Sequence, residues 1–137
     1  MRITKKYVNN LSYQIVGAAI EVHKTLGPGL LESVYEKCLL HELKLRGLMA
    51  EQQVFVPLDY KGLKFEVELR ADVIVEKLIV VELKTVDIIL PIHKAQLLTY
   101  LKLLNAPKGL LINFHSTNIT ESLIPLVTEY FAKLSDE

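Results

Sequence analysis

Residues 71–85, ADVIVEKLIVVELKT, constrain this chain more than any other stretch. ADVIVE and VVELKT read as two strands rich in Val, Ile and Leu, bound for a buried sheet. Each carries an acid into that interior. Side chains alternate along a strand, so Asp72, Ile74 and Glu76 share one face and Val73 and Val75 the other. In the second strand Val80, Glu82 and Lys84 share a face, opposite Val81 and Leu83. A three-residue loop, Glu76–Leu78, sets Asp72 directly across from Glu82, with side chains about 5 Å apart. Buried carboxylates need an ion pair or a metal. A hard divalent cation such as Mg²⁺ would resolve the repulsion. A plain salt-bridge network of Asp72, Glu82 and Lys84 on a half-exposed sheet would resolve it too.

Around this pair the chain reads as alternating helical and extended segments. Leu11, Ile15, Ala18, Val22 and Leu26 fall at helical spacing within residues 9–26, and Gly27-Pro28-Gly29 ends the run. A second helix spans about 30–46, with Leu31, Val34, Tyr35, Cys38, Leu39 and Leu45 as its apolar face. Strands follow at 53–60, bent at Pro57, then 63–69, 71–75 and 78–85. Pro91 opens a third helix over 92–104, and Leu110–Phe114 is a buried strand whose one polar residue is Asn113. Residues 123–127 suit an edge strand around Pro125, and 128–134 a short helix. The order α-α-β-β-β-β-α-β predicts an α/β (α+β) fold, a mixed sheet flanked by helices.

Glu32 admits two readings. With Gly29 as N-cap it is the third helical residue, where a carboxylate reaches a free backbone N–H and favours the positive helix end. Yet Gly29 lacks a capping side chain, and Glu32 shares a helical face with Tyr35, Leu39 and Leu43. A carboxylate on that inward face needs a partner, and the Asp72/Glu82 pair supplies one. On the third helix Gln96 and Tyr100, four residues apart, share a face beside the stripe Leu97, Leu98, Leu101 and Leu104.

Glu32, Asp72, Glu82-Leu83-Lys84 and Gln96-Leu97-Leu98-Thr99-Tyr100, in this order, resemble the PD-(D/E)XK nuclease superfamily, particularly its RecB and λ-exonuclease-type branch. Gly29-Leu30-Leu31-Glu32-Ser33-Val34-Tyr35 is similar to the signature of the GxxExxY proteins of that superfamily. The resemblance spans about residues 10–115 and implies a restriction-endonuclease-like core, with residues 1–137 as a single nuclease-like domain. It implies that Asp72 and Glu82 bind Mg²⁺ (Mn²⁺ substituting), with Glu32 completing the metal site from the helix side. Lys84 would orient or activate the attacking water, Gln96 would position substrate or water, and Tyr100 would support it. Downstream the pattern departs: residues 115–127, HSTNITESLIPLV, hold no Lys or Arg.

The remaining features bound the function. Sixteen Lys+Arg balance sixteen Asp+Glu, which disfavours a nucleic-acid binder unless clustered carboxylates mask a basic surface. Lys5, Lys6, Arg70, Lys94, Lys102 and Lys108 could build such a surface or simply be solvated. His23, His41, His93 and His115 are dispersed, which argues against a His-rich metal site; His93 could meet a phosphate at its helix N-terminus. Cys38, the single cysteine, fits the core and a reducing compartment. No apolar run reaches the ~18–20 residues that span a bilayer, and no signal-like core follows the basic N-terminus, so a cytoplasmic setting is expected, without membrane contact. The leading expectation is a metal-dependent nuclease acting on nucleic acid, DNA above all, with a homodimer or partner protein supplying grip. The alternative is a non-catalytic nucleic-acid-binding or protein-interaction module on the same fold.

Overall fold

A computed structural model describes residues 2–137, apart from the side chains of residues 66–69. The elements are α1 (Lys5–Leu26), α2 (Glu32–Leu45), β1 (Ala50–Tyr60), β2 (Leu63–Val75), β3 (Ile79–Lys84), α3 (Pro91–Leu103), β4 (Lys108–Asn113), α4 (Ile119–Ser122), β5 (Ile124–Val127) and α5 (Glu129–Ala132). The strands form one five-stranded sheet in the order β1-β2-β3-β4-β5. Only β3 and β4 run parallel; α3 provides the crossover that a parallel pair requires. The other pairs are antiparallel, so the sheet is mixed and flanked by helices, as expected.

Strand alternation divides the core in two. Ile79, Val81 and Leu83 of β3, with Leu110 and Ile112 of β4, pack with Val8, Leu11 and Ile15 of α1 and Tyr35, Leu39 and Leu43 of α2. Val80 and Leu111 lie on the other face, against Leu97, Tyr100 and Leu101 of α3. The approach of α3 to the sheet is close. A Cβ on Gly109 would lie 3.0 Å from a Leu101 methyl and 3.1 Å from a Leu97 methyl.

Several boundaries differ from the sequence reading. α1 begins at Lys5 because the Thr4 side chain caps it, accepting from the Tyr7 N–H at 3.0 Å. The stretches 63–69 and 71–75 are one continuous strand. Arg70 does not interrupt it, because it pairs with Phe55 and lays its guanidinium 4.6 Å above that exposed ring. Pro57 does disturb the edge strand β1, whose register shifts between Phe55 and Pro57. Leu31 and Leu45 are 73% and 68% exposed, so the inward face of α2 is Tyr35, Leu39 and Leu43 instead.

Gly29 is not the N-cap of α2. Leu31 is, with no side-chain hydrogen bond, which makes Glu32 the first helical residue rather than the third. The loop before α2 is held differently. Gly27 and Gly29 turn the chain at φ 73° and 101°, values that suit glycine. The Tyr35 hydroxyl then donates to the Gly27 carbonyl and accepts from the Leu30 N–H at 3.1 Å. The Tyr35 ring stacks on Phe114 at 4.7 Å. Glycines and tyrosine thus fix where α2 begins, and with it the position of Glu32. Tyr35→Phe keeps the ring but leaves two backbone groups without their partner. It is expected to cost roughly 1–3 kcal/mol in denaturant unfolding; an unchanged midpoint would show that the loop is anchored elsewhere.

Candidate functional site

Each β hydrogen-bond ladder must end somewhere, and the one between β2 and β3 ends at Val73↔Val81. One residue further, side chains take over. The Asp72 N–H donates to a Glu82 carboxylate oxygen at 3.0 Å, and the Leu83 N–H donates to an Asp72 carboxylate oxygen at 2.9 Å. The register Val75↔Ile79 confirms the three-residue loop, and continuing it sets Asp72 opposite Glu82. The two acids turn into the seam between their strands. β2 also rolls here: Val73 packs in the α1/α2 core and Ala71 in the α3 core, although strict alternation puts both on one face.

The polar row continues into β1. Gln53 lies between the paired positions Gln52↔Val73 and Val54↔Ala71, beside Asp72. Its backbone is left-handed, φ 51°, uncommon for a residue with a side chain. Its amide donates to Glu36 of α2 at 2.9 Å. Glu36, one turn beyond Glu32, is buried. Glu36 is a site neighbour that the sequence reading missed, and its four-residue spacing from Glu32 was the available signal.

The fold brings the other residues singled out from sequence to this place. Glu32 is half-buried on α2, and Asp72 and Lys84 both act on its charge. Lys84, half-buried at the end of β3, also acts on Glu82. Tyr100 is buried in the α3 core within the field of Glu82 and Asp72, and Gln96, one turn before it on α3, lies close enough to act on its hydroxyl. Asn113, noted only as a polar residue in an apolar strand, tethers the chain leaving β3. Its amide donates to the Val86 carbonyl at 2.7 Å, and its oxygen accepts from the Val86 and His115 N–H groups, both at 3.2 Å.

Several expected surface residues are committed elsewhere. Lys5 pairs with Asp136 at 3.3 Å, Lys108 reaches Asn9 at 3.3 Å, and Arg70 covers Phe55. His93 Nδ1 accepts from the Leu90 N–H at 3.0 Å, which ties the ring to its own helix start.

The electrostatics of the site favour added positive charge. Burial, then the charge of Asp72, push the Glu82 carboxyl up from 4.5 to about 9. Burial raises Glu32 and Glu36 as well, again with Asp72 as the next cause. Oxygen donors that resist ionisation only because they are buried together suit a hard cation. Among the described residues, no three His, Cys, Asp or Glu side chains enclose a common point. Mg²⁺ does not need such a cage, since one or two carboxylates with water complete its shell.

Comparison with known families matches residues 9–124 to the PD-(D/E)XK nuclease superfamily. The chain belongs to that superfamily. No curated protein and no solved structure matches it. Among the described residues, no helix is long and apolar enough to cross a membrane.

The raised Glu82 carboxyl has a consequence for stability. The folded chain keeps a proton that the unfolded chain releases near 4.5. Stability is therefore fully present below that value and declines as pH rises towards about 9. Thermal unfolding in chelator should show a midpoint that falls between pH ~5 and ~8. Glu82→Gln, which keeps the shape without the ionisation, should flatten the slope. A parent midpoint that rises over this window would contradict the assigned proton.

Proposed function

We propose that the chain is a metal-dependent nuclease that hydrolyses phosphodiester bonds in nucleic acid, DNA above all. The observation that carries this reading is the reciprocal Asp72–Glu82 pair with Lys84 two residues further along β3. Asp72 and Glu82, with Glu32 from α2, would hold Mg²⁺, or Mn²⁺ in its place. Such an ion supplies Lewis acidity, polarising a phosphoryl oxygen and acidifying water. Lys84 orients the attacking water and offsets the charge that builds on the phosphate, an effect that grows as water is excluded. Its influence on both Glu32 and Glu82 supports that role. Gln96 positions substrate or water, and Tyr100 supports it. No side-chain nucleophile is required.

The spacing of Gly29, Glu32 and Tyr35 supports placing the chain among the GxxExxY proteins. The site order supports the RecB and λ-exonuclease-type branch. Two cores sharing one sheet support treating residues 1–137 as one domain. The second reading, a non-catalytic binding module on the same fold, is favoured by one observation: no three candidate ligands converge among the described residues.

Cleavage and metal binding separate the two. Glu82→Ala and Lys84→Ala should each lower metal-dependent cleavage by ~100-fold or more while circular dichroism reports a folded chain. Mg²⁺ should raise the thermal midpoint of the parent and not that of Asp72→Asn. Folded variants that cut as well as the parent would remove the site assignment. No Mg²⁺-induced rise in the parent would favour the binding module.

A further inference from the structure

A groove lies outside the site, where the β1–β2 hairpin passes over α3. It measures about 540 Å³ and is lined by Pro57, Leu58, Asp59, Lys64, Phe65, Lys102 and Leu103. That is within the ~300–1,000 Å³ of small-ligand sites. Leu58 and Phe65 are register partners across the hairpin, so their side chains stand together on one face. Phe65 is 44% exposed, a large aromatic ring left open to solvent. Lys64 and Lys102 supply charge from the hairpin and from the helix, and neither pairs with a carboxylate among the described residues. The Asp59 carboxylate already accepts from the Gly62 N–H at 2.9 Å.

α3 links the groove to the acidic site, while along β2 Phe65 stands seven residues, up to ~23 Å of extended strand, from Asp72. Leu103 lies three residues beyond Tyr100, on the same helical side and ~5 Å further along the axis. A ligand with its phosphate at the acids could therefore extend along α3 into the groove.

We propose that this groove is a subsite for one unpaired nucleobase of the strand whose backbone enters the acidic site, with the base stacked on Phe65 and the flanking phosphates met by Lys64 and Lys102. The proposal rests on the nuclease reading for the identity of the strand. An open ring, an aliphatic floor and two cations are the combination that binds single-stranded nucleic acid with little sequence preference. A paired base cannot use it, because both of its faces are stacked within the duplex. The groove thus favours single-stranded or frayed substrate over intact duplex.

The chain contains no tryptophan, so Phe65→Trp gives a single fluorescent reporter in the groove. A short single-stranded oligodeoxynucleotide, titrated in chelator at low salt, should quench that emission as anisotropy reports binding. Phe65→Ala should weaken single-strand binding roughly tenfold, within the range of base–aromatic stacking, and leave duplex binding nearly unchanged. Lys102→Ala should weaken it too and reduce the slope of log affinity against log salt by ~0.7. Parent protein that binds no single strand, an indole emission unmoved by bound oligonucleotide, or equal losses on single strand and duplex for Phe65→Ala would each overturn the subsite. Cleavage by the parent without quenching would overturn the subsite and leave the nuclease reading standing. Quenching without cleavage would support the subsite and count against the nuclease reading.

Discussion

Where β2 and β3 part, two backbone N–H groups lose their ladder partners, and two carboxylates take them up. Asp72 serves Leu83 while Glu82 serves the N–H of Asp72 itself. A buried N–H without an acceptor costs on the order of 1–3 kcal/mol, so strands seldom separate inside a core. Here they separate where the sequence supplies two acceptors in register. The acids thus have a structural role: they let the sheet open a polar notch without orphaned groups. The same exchange concentrates negative charge where water is scarce, which is why Glu82 keeps its proton at neutral pH.

The notch is held by neighbours from different layers. On one face the Tyr35–Phe114 stack joins the start of α2 to the chain leaving β4, which sets the position of Glu32. On the other, α3 lies close on Gly109 and brings Tyr100 and Gln96 alongside. Asn113 ties down the chain just past Lys84. The groove over α3 depends on the same helix placement, so the acidic site and the groove are fixed relative to one another by the packing of Leu97 and Leu101.

Much of this was legible in the sequence because it rests on short-range rules. Strand alternation and a three-residue loop are enough to bring Asp72 opposite Glu82, and helical spacing is enough to turn Glu32 towards the core with Tyr35. The start of α2 was not legible, because it is set by a contact between Tyr35 and the preceding loop rather than by a capping side chain. The continuity of β2 through Arg70 was not legible, because the stacking of Arg70 on Phe55 depends on pairing across strands. The Gln53–Glu36 bond joins β1 to α2, and neither residue points to the other along the chain. Nor does alternation foresee the roll of β2 that sends Ala71 and Val73 to opposite cores, since it is a property of the twisted sheet.

The neutral total charge takes on a different meaning once the acids are located. Glu32, Glu36 and Glu82 gather around Asp72, with one lysine, Lys84, acting on Glu32 and Glu82. Sixteen basic and sixteen acidic residues in all therefore leave fifteen basic and twelve acidic ones elsewhere. Outside the site the chain is formally basic, though weakly. Such a surface gives modest, salt-sensitive attraction to a polyanion and little grip on a long duplex. The proposed stacking contact in the groove over α3 would offset that weakness without added charge, because stacking on an exposed ring needs only an unpaired base. The composition, the acid-rich notch and the open Phe65 ring then fit the proposed subsite together: a chain that would hold a strand by a base rather than by a charged track.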